Sequence, residues 1–236
     1  MRNPLRVLLD LVVPVGCAGC DAPGVGWCVA CAASVRAPFA VDREATANGP
    51  PVYALGRYLG PARRAVLGYK ERGRRDLARP LGQALGAAVL RLPDVRAGPD
   101  GTWYLVPAPS RPGAARRRGG QHMAVVARWA AAALARAGQG AAVAPALRMD
   151  AGARDSVGLD AAQRSANLRG RLRHVPAGSP PPGQPVVLVD DVITTGTTAA
   201  ACTAVLTAAG VQVAAVLALT ATASLIPHSG IRPLPG

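Results

Sequence analysis

The sequence predicts an α/β fold, a parallel sheet with helices on both faces, preceded by a small cysteine-bearing module. Three observations predict it. From residue 103 to 219 the chain reads strand, helix, strand, helix, strand, the order that builds parallel sheets through right-handed crossovers. Val186–Val189 and Val211–Leu219 are apolar runs of strand length, as strands covered on both faces are. Four of the five cysteines fall between residues 17 and 31, as two Cys-x-x-Cys pairs. A length of 236 residues suits one such domain with a small appendage, and 50% hydrophobic residues suffice for a core. Aromatics make up only 3%, so Ala, Val and Leu must build it.

Leu5 to Val15 is apolar apart from Arg6 and Asp10 and reads as a short amphipathic helix. Asp10 interrupts the apolar region a signal peptide needs, and Pro14 spoils a lipoprotein signal ending Val15-Gly16-Cys17. Cys17 with Cys20, and Cys28 with Cys31, then form two knuckles. Each turns the chain so that two thiolates face one centre, and together they offer a tetrahedral four-thiolate set for structural zinc, Zn²⁺. Gly19, Gly24 and Gly26 are expected to supply the positive φ of such turns. The competing readings are a pair of disulfides, which suits an oxidising compartment, and a redox Cys-x-x-Cys, which usually comes singly. Cys202, alone in an apolar helix, reads as a small core residue.

Residues 37–51 are rich in Pro, Asn, Thr and Gly and read as a linker. Val52–Tyr58 is the next expected strand, and Pro61 opens a helix to about Arg72 with Ala62, Val66 and Tyr69 along one side. After Asp76 a second helix carries Leu77, Leu81, Leu85 and Val89, with Pro80 tolerated in its first turn. Trp103–Val106 is a short buried strand that ends in Pro107-Ala108-Pro109-Ser110 and an Arg-rich loop, Arg111–Gly120. His122–Ala137 is a long Ala-rich helix, residues 151–173 are polar and basic, and Ser179–Pro185 is a Pro-rich turn. The apolar stretch Ala199–Ile226 raises a membrane span, but Gly210 divides it into a buried helix and a buried strand. A cytoplasmic protein without membrane association is the expectation.

Lys and Arg number 27 against 13 Asp and Glu, a formal charge of +14. The single lysine is Lys70, which follows Tyr69, so no Walker A loop exists. Strings of the form GxGxxG, HExxH and GxSxG are also missing, which removes the usual sequence warrant for dinucleotide-fold dehydrogenases, zincins and nucleophile-elbow hydrolases.

The most specific string runs from Val186 to Thr198, Val-Val-Leu-Val-Asp-Asp-Val-Ile-Thr-Thr-Gly-Thr-Thr. Four aliphatic residues bury a strand, Asp190 and Asp191 emerge at its C-terminal end, and a hydroxyl-rich turn leads into a helix. Ligands of open α/β sheets bind there. Thr194, Thr195, Gly196, Thr197 and Thr198 offer successive N–H groups and four hydroxyls at a helix N-terminus, a phosphate cradle made without lysine. Two carboxylates behind it can accept hydrogen bonds from vicinal sugar hydroxyls. The whole reads as a site for a ribose 5-phosphate.

This string resembles the signature of the type I phosphoribosyltransferases, whose common substrate is phosphoribosyl pyrophosphate, PRPP. More of the chain resembles one branch, the ComF family (ComFC or GntX-like), in which a four-cysteine zinc ribbon is joined to a phosphoribosyltransferase domain. Tyr58-Leu59-Gly60-Pro61 with Val66 to Gly73, Val106-Pro107-Ala108-Pro109 with Arg117-Arg118-Gly119, and Gln163-Arg164-Ser165-Ala166-Asn167 are similar to its blocks. One departure is plain: the family's Phe-Asn-Gln after Arg-Gly is Gly120-Gln121-His122 here. A His at that position reads as a helix-start hydrogen bonder before a catalytic base.

The resemblance implies a helix and ribbon over 1–36, a linker over 37–51, a type I phosphoribosyltransferase fold over 52–225 and a tail over 226–236. It implies PRPP binding by Asp190, Asp191, the turn Thr194–Thr198 and, for pyrophosphate, the loop with Pro107 and Ala108. Mg²⁺ and cations would stabilise the leaving pyrophosphate, with Lys70 and Arg118 as catalytic candidates beside Arg116 and Arg117. Two functions are expected. One is transfer of phosphoribosyl to an unidentified nitrogen acceptor. The other is handling of single-stranded DNA, together with a DNA helicase, by a protein that uses the PRPP fold as sensor or scaffold. Clusters at Arg72, Arg74, Arg75, Arg169, Arg171 and Arg173 favour the second, and the scarcity of stacking aromatics opposes it.

Overall fold

The structure, a computed structural model, describes residues 16–110, 112–118, 120–150 and 170–223. The expected N-terminal helix, the Gln163–Asn167 block, Arg169 and the tail lie outside the described residues.

Cys28 opens a single helical turn, α1 (Val29–Ala32), by accepting from the Cys31 N–H. The segment read as a linker is instead folded: it carries strand β1 (Phe39–Ala40) and a 3₁₀ turn at Glu44–Thr46. β1 pairs antiparallel with β2 (Val52–Ala54), which is shorter than expected and continues only as an isolated bridge from Arg57 to Ala221. In α2 (Gly60–Glu71) Ala62, Ala65, Val66 and Tyr69 form one buried stripe, and Lys70 stands in the last turn. Asp76 lies in a 3₁₀ turn, and α3 (Ala78–Val89) follows with Leu81, Leu85 and Val89 fully buried.

β3 (Thr102–Pro107) comes next, and then a correction. Part of the expected Arg-rich loop is helical, α4 (Pro112–Arg118). α5 (His122–Arg136) leads to β4 (Gly140–Val143), and β5 (Leu147–Met149) pairs with β6 (Leu172–His174) as a separate two-stranded sheet. β7 spans Val186–Ile193, twice the expected four residues, and therefore contains both aspartates. α6 (Thr197–Ala208) and β8 (Val213–Ala221) complete the described chain.

The six-stranded sheet has the order β1-β2-β8-β7-β3-β4, parallel except at β1. One face is covered by α2, α3 and α5, whose buried residues share a core with Val187, Val189 and Leu217. The other face packs on α6 through Ala199, Cys202 and Leu206, with Leu147 and Leu172 of the small sheet added. Cys202 is a core residue there, as expected. Among the described residues no helix is long and apolar enough to cross a membrane.

Candidate functional site at the switch point of the sheet

The strand order creates the site. β3 leads through α5 to β4 on one side, whereas its other neighbour, β7, leads through α6 to β8 on the opposite side. Connections that depart in opposite directions leave a crevice at the C-terminal ends of β3 and β7. The ladder between them ends at Pro107 and Val189, so Asp190, Asp191 and the Thr194–Thr198 turn extend beyond it.

Strand alternation separates the two aspartates, which the sequence placed side by side. Val187 and Val189 face α2 and α5, and Asp191 follows them; Leu188 faces α6, and Asp190 follows it. Lys70 Nζ lies 2.8 Å from Asp191 Oδ2 and 3.1 Å from Oδ1, and His122 Nε2 lies 2.6 Å from Oδ2. His122 Nδ1 is 2.7 Å from Ser110 Oγ, and Tyr69 donates to the His122 carbonyl at 2.7 Å. The array thus runs from Ser110 through His122 and Asp191 to Lys70. His122 is indeed a hydrogen bonder at a helix start, but one that reaches across to β7.

Burial raises the Asp191 carboxyl, but the His122 hydrogen bond and the Lys70 charge outweigh it and hold the group below the ordinary carboxylate range. Asp190 goes the other way. Burial first, and the neighbouring Asp191 charge second, push it up to about 7. A carboxyl raised on folding contributes stability that is complete below about pH 4 and is lost as pH rises through about 7. Asp190→Asn, whose amide oxygen can still accept the Asp191 N–H, removes that titration. Its stability relative to the parent is therefore expected to be greater at about pH 8 than at about pH 4 in urea melts. A difference independent of pH would contradict the assignment.

The hydroxyl turn enters α6 through Gly196, whose φ of 80° is left-handed and suits glycine. A Cβ there would also lie 3.0 Å from Thr46 and 3.1 Å from Arg43. Thr194 and Thr195 are exposed, and Thr195 Oγ1 and Thr197 Oγ1 are 2.9 Å apart. Arg43 braces the turn from behind. Its Nε donates to the Thr194 carbonyl at 2.5 Å and its Nη2 to the Thr222 carbonyl. Sequence reasoning missed Arg43 because its segment had the composition of a linker.

The loop after β3 offers a ligand less backbone than expected. Pro107 and Pro109 have no N–H, Ala108 donates to the Val189 carbonyl at 2.8 Å, and Ser110 donates to Gln121 Oε1 at 2.7 Å. The Ser110 hydroxyl is itself engaged, 2.7 Å from His122 Nδ1. Arg116 is exposed on α4, and the side chains of Arg117 and Arg118 lie outside the described residues.

A second site lies in the N-terminal module. The ligand atoms of Cys17, Cys20, Cys28 and Cys31 all lie within 4.8 Å of one another. Cys20 and Cys28 sulfurs are 3.7 Å apart, too far for a disulfide and close to the edge of about 3.8 Å that a tetrahedron with 2.3 Å metal–sulfur bonds requires. Cys17 Sγ accepts N–H groups from Gly19 at 3.4 Å and Cys28 at 3.3 Å. Burial opposes ionisation of Cys17, yet backbone hydrogen bonds from Cys28, Gly19 and Cys20 prevail and draw it down to about 6. Burial and the three neighbouring thiols push Cys31 up. Four thiols so placed are arranged to bind a metal ion. Of the three glycines, only Gly24 has positive φ, and Asp21 supplies the other left-handed position. Gly19 is needed for space instead, since a Cβ would lie 2.6 Å from the Cys31 sulfur.

The module is docked on the domain. Arg74 donates to the carbonyls of Gly16 and Gly26 at 3.1 and 3.0 Å while paired to Asp76, and Arg64 donates to the Gly19 carbonyl. Arg64 lies on α2, the helix that carries Lys70. Comparison with protein-family models and with curated proteins found no match for the chain.

Proposed function

We propose that the crevice binds PRPP and that the protein is a phosphoribosyltransferase-like member of the ComF family with a structural zinc module. The observation that carries this reading is the path of β7 into α6. Two acids end a central strand at the switch point, and an exposed hydroxyl turn follows at a helix N-terminus, with the only lysine held at one of the acids.

Thr194–Thr198 would hold the 5-phosphate through backbone N–H groups and hydroxyls, while Asp190 and Asp191 accept from the ribose hydroxyls. In the transfer, the bond from C1 to the pyrophosphate oxygen breaks as a nitrogen acceptor forms its bond to C1. Lys70 would supply a donor to the departing pyrophosphate. Mg²⁺ would supply further charge neutralisation. Among the described residues the cysteines are the only group of three or more His, Cys, Asp and Glu that converges, so Mg²⁺ would arrive on the ligand's own oxygens.

The single-stranded DNA reading gains less support. Every Phe, Tyr and Trp of the chain is buried or half-buried, which disfavours base stacking. Arg43, Arg64, Arg74 and Arg91 direct their guanidinium groups to backbone carbonyls, and Arg173 pairs with Asp150 at 3.2 Å. Part of the +14 charge therefore serves the fold.

Calorimetry with PRPP and Mg²⁺ is the test. Binding is expected, tighter than for ribose 5-phosphate alone, and lost in the double variant Asp190→Asn, Asp191→Asn. No binding by the parent, or unchanged affinity in that variant, would overturn the assignment.

A further inference from the structure

Asp191 holds two nitrogen donors at once, and they differ in freedom. Lys70 has a side chain 30% exposed, on a flexible stem that ends in a compact charge. His122 is 9% exposed and fixed from several sides: by Ser110 at Nδ1, by the Tyr69 hydroxyl at its carbonyl, and by the Tyr69 ring, tilted at a centroid distance of 6.0 Å. Because the Asp191 carboxylate can only accept, the network assigns the imidazole proton to Nε2. Nδ1 then accepts from the Ser110 hydroxyl.

A serine hydrolase triad is a tempting reading of Ser110, His122 and Asp191, but among the described residues from Pro107 to Ser110 no backbone N–H is left for an oxyanion. The Ser110 N–H is taken by Gln121, the Ala108 N–H by Val189, and Pro107, which ends β3, and Pro109 have none.

We propose that His122 is a positioning residue that keeps Asp191 oriented and hydrogen-bonded when Lys70 leaves it for the pyrophosphate group of a ligand. The inference rests on the PRPP reading of the crevice. A polyphosphate competes well for an ammonium through charge-assisted hydrogen bonds, and Lys70 is the donor exposed enough to turn. Without His122 the exchange would leave a buried carboxylate with only neutral ribose hydroxyls as donors, which is costly. With it, Asp191 keeps one strong partner throughout, and the ribose side of the crevice keeps its acceptor. Ser110 has a matching role, since its hydroxyl holds the imidazole in the tautomer that donates to Asp191.

The test uses the geometry of amide substitutes. Glutamine places its amide nitrogen near the position of imidazole Nε2, whereas asparagine reaches only the position of Nδ1. His122→Gln, His122→Asn and the parent chain are compared by calorimetry with Mg²⁺ and PRPP, and with inorganic pyrophosphate, alongside thermal melts. The expected result is affinity within about threefold of the parent for His122→Gln, and a loss of about tenfold or more for His122→Asn, the size of one charge-assisted hydrogen bond. A merely structural role would lower the melting temperature without separating the two variants in affinity. Equal affinity of parent and His122→Asn, or equal losses in both variants, overturns the inference and leaves the PRPP reading standing. A parent chain that binds neither PRPP nor pyrophosphate overturns both.

Discussion

Cys17→Ser is expected to lose its bound metal and to open the N-terminal module at temperatures the parent chain tolerates. Cys17 is fully buried and accepts two backbone N–H groups that orient both knuckles. A serine hydroxyl there cannot act as a soft anionic ligand, so the four-sulfur set fails. Structural zinc contributes on the order of 10 kcal/mol to isolated fingers that have no other core. Here Arg74 and Arg64 retain part of the docking, so the loss is expected to be local before it is global. Metal analysis should find about one zinc ion per parent chain and none in the variant. Hydrogen exchange should speed up over residues 16–35 and, through Arg64, at the start of α2. Undiminished metal in the variant would mean that the knuckles are not the ligand set.

The second large effect is an asymmetry between two single substitutions at one ion pair. Lys70→Ala leaves Asp191 with His122, whereas Asp191→Ala leaves both donors without their acceptor. Breaking a fully buried pair costs about 3–5 kcal/mol, and the 30% exposure of Lys70 lets water relieve part of that, so about 2–3 kcal/mol is expected for Asp191→Ala. Lys70→Ala is expected to cost about 1 kcal/mol or less in stability, yet to weaken PRPP binding more than it weakens the fold. Urea denaturation and calorimetry on the two variants separate these effects. Equal destabilisation by both would contradict the shared-acceptor geometry.

The parts of the fold legible in the sequence are those with long apolar patterns. β7 and β8 read as buried strands because their residues are apolar in succession, and α3 because Leu77, Leu81, Leu85 and Val89 repeat at helical spacing. β1, β5 and β6 are two or three residues long, and β4 is Gly-Ala-Ala-Val, with little β-branched signal. β1 and β4 form on the edges of β2 and β3, and β5 and β6 on each other, none of which a local pattern reveals. The hydroxyl-rich turn and the thiol cluster were legible because their residues are close in sequence. The opposite facing of Asp190 and Asp191 was within reach, since adjacent residues of one strand point to opposite faces. The His122 bridge was not, because 69 positions separate it from Asp191 and only the packing of α5 beside β7 brings them together. Arg43 stands still farther from Thr194, 151 positions away.

A phosphorylated ribose is proposed to sit at the C-terminal ends of β3 and β7. Amide chemical-shift mapping with PRPP and Mg²⁺ tests it most directly, because it reads position as well as binding. The largest shifts are expected at Asp190 to Thr198, with further shifts at Lys70 and Ser110. Shifts confined to the cysteine module, to the β5–β6 sheet, or to the exposed arginines would contradict it.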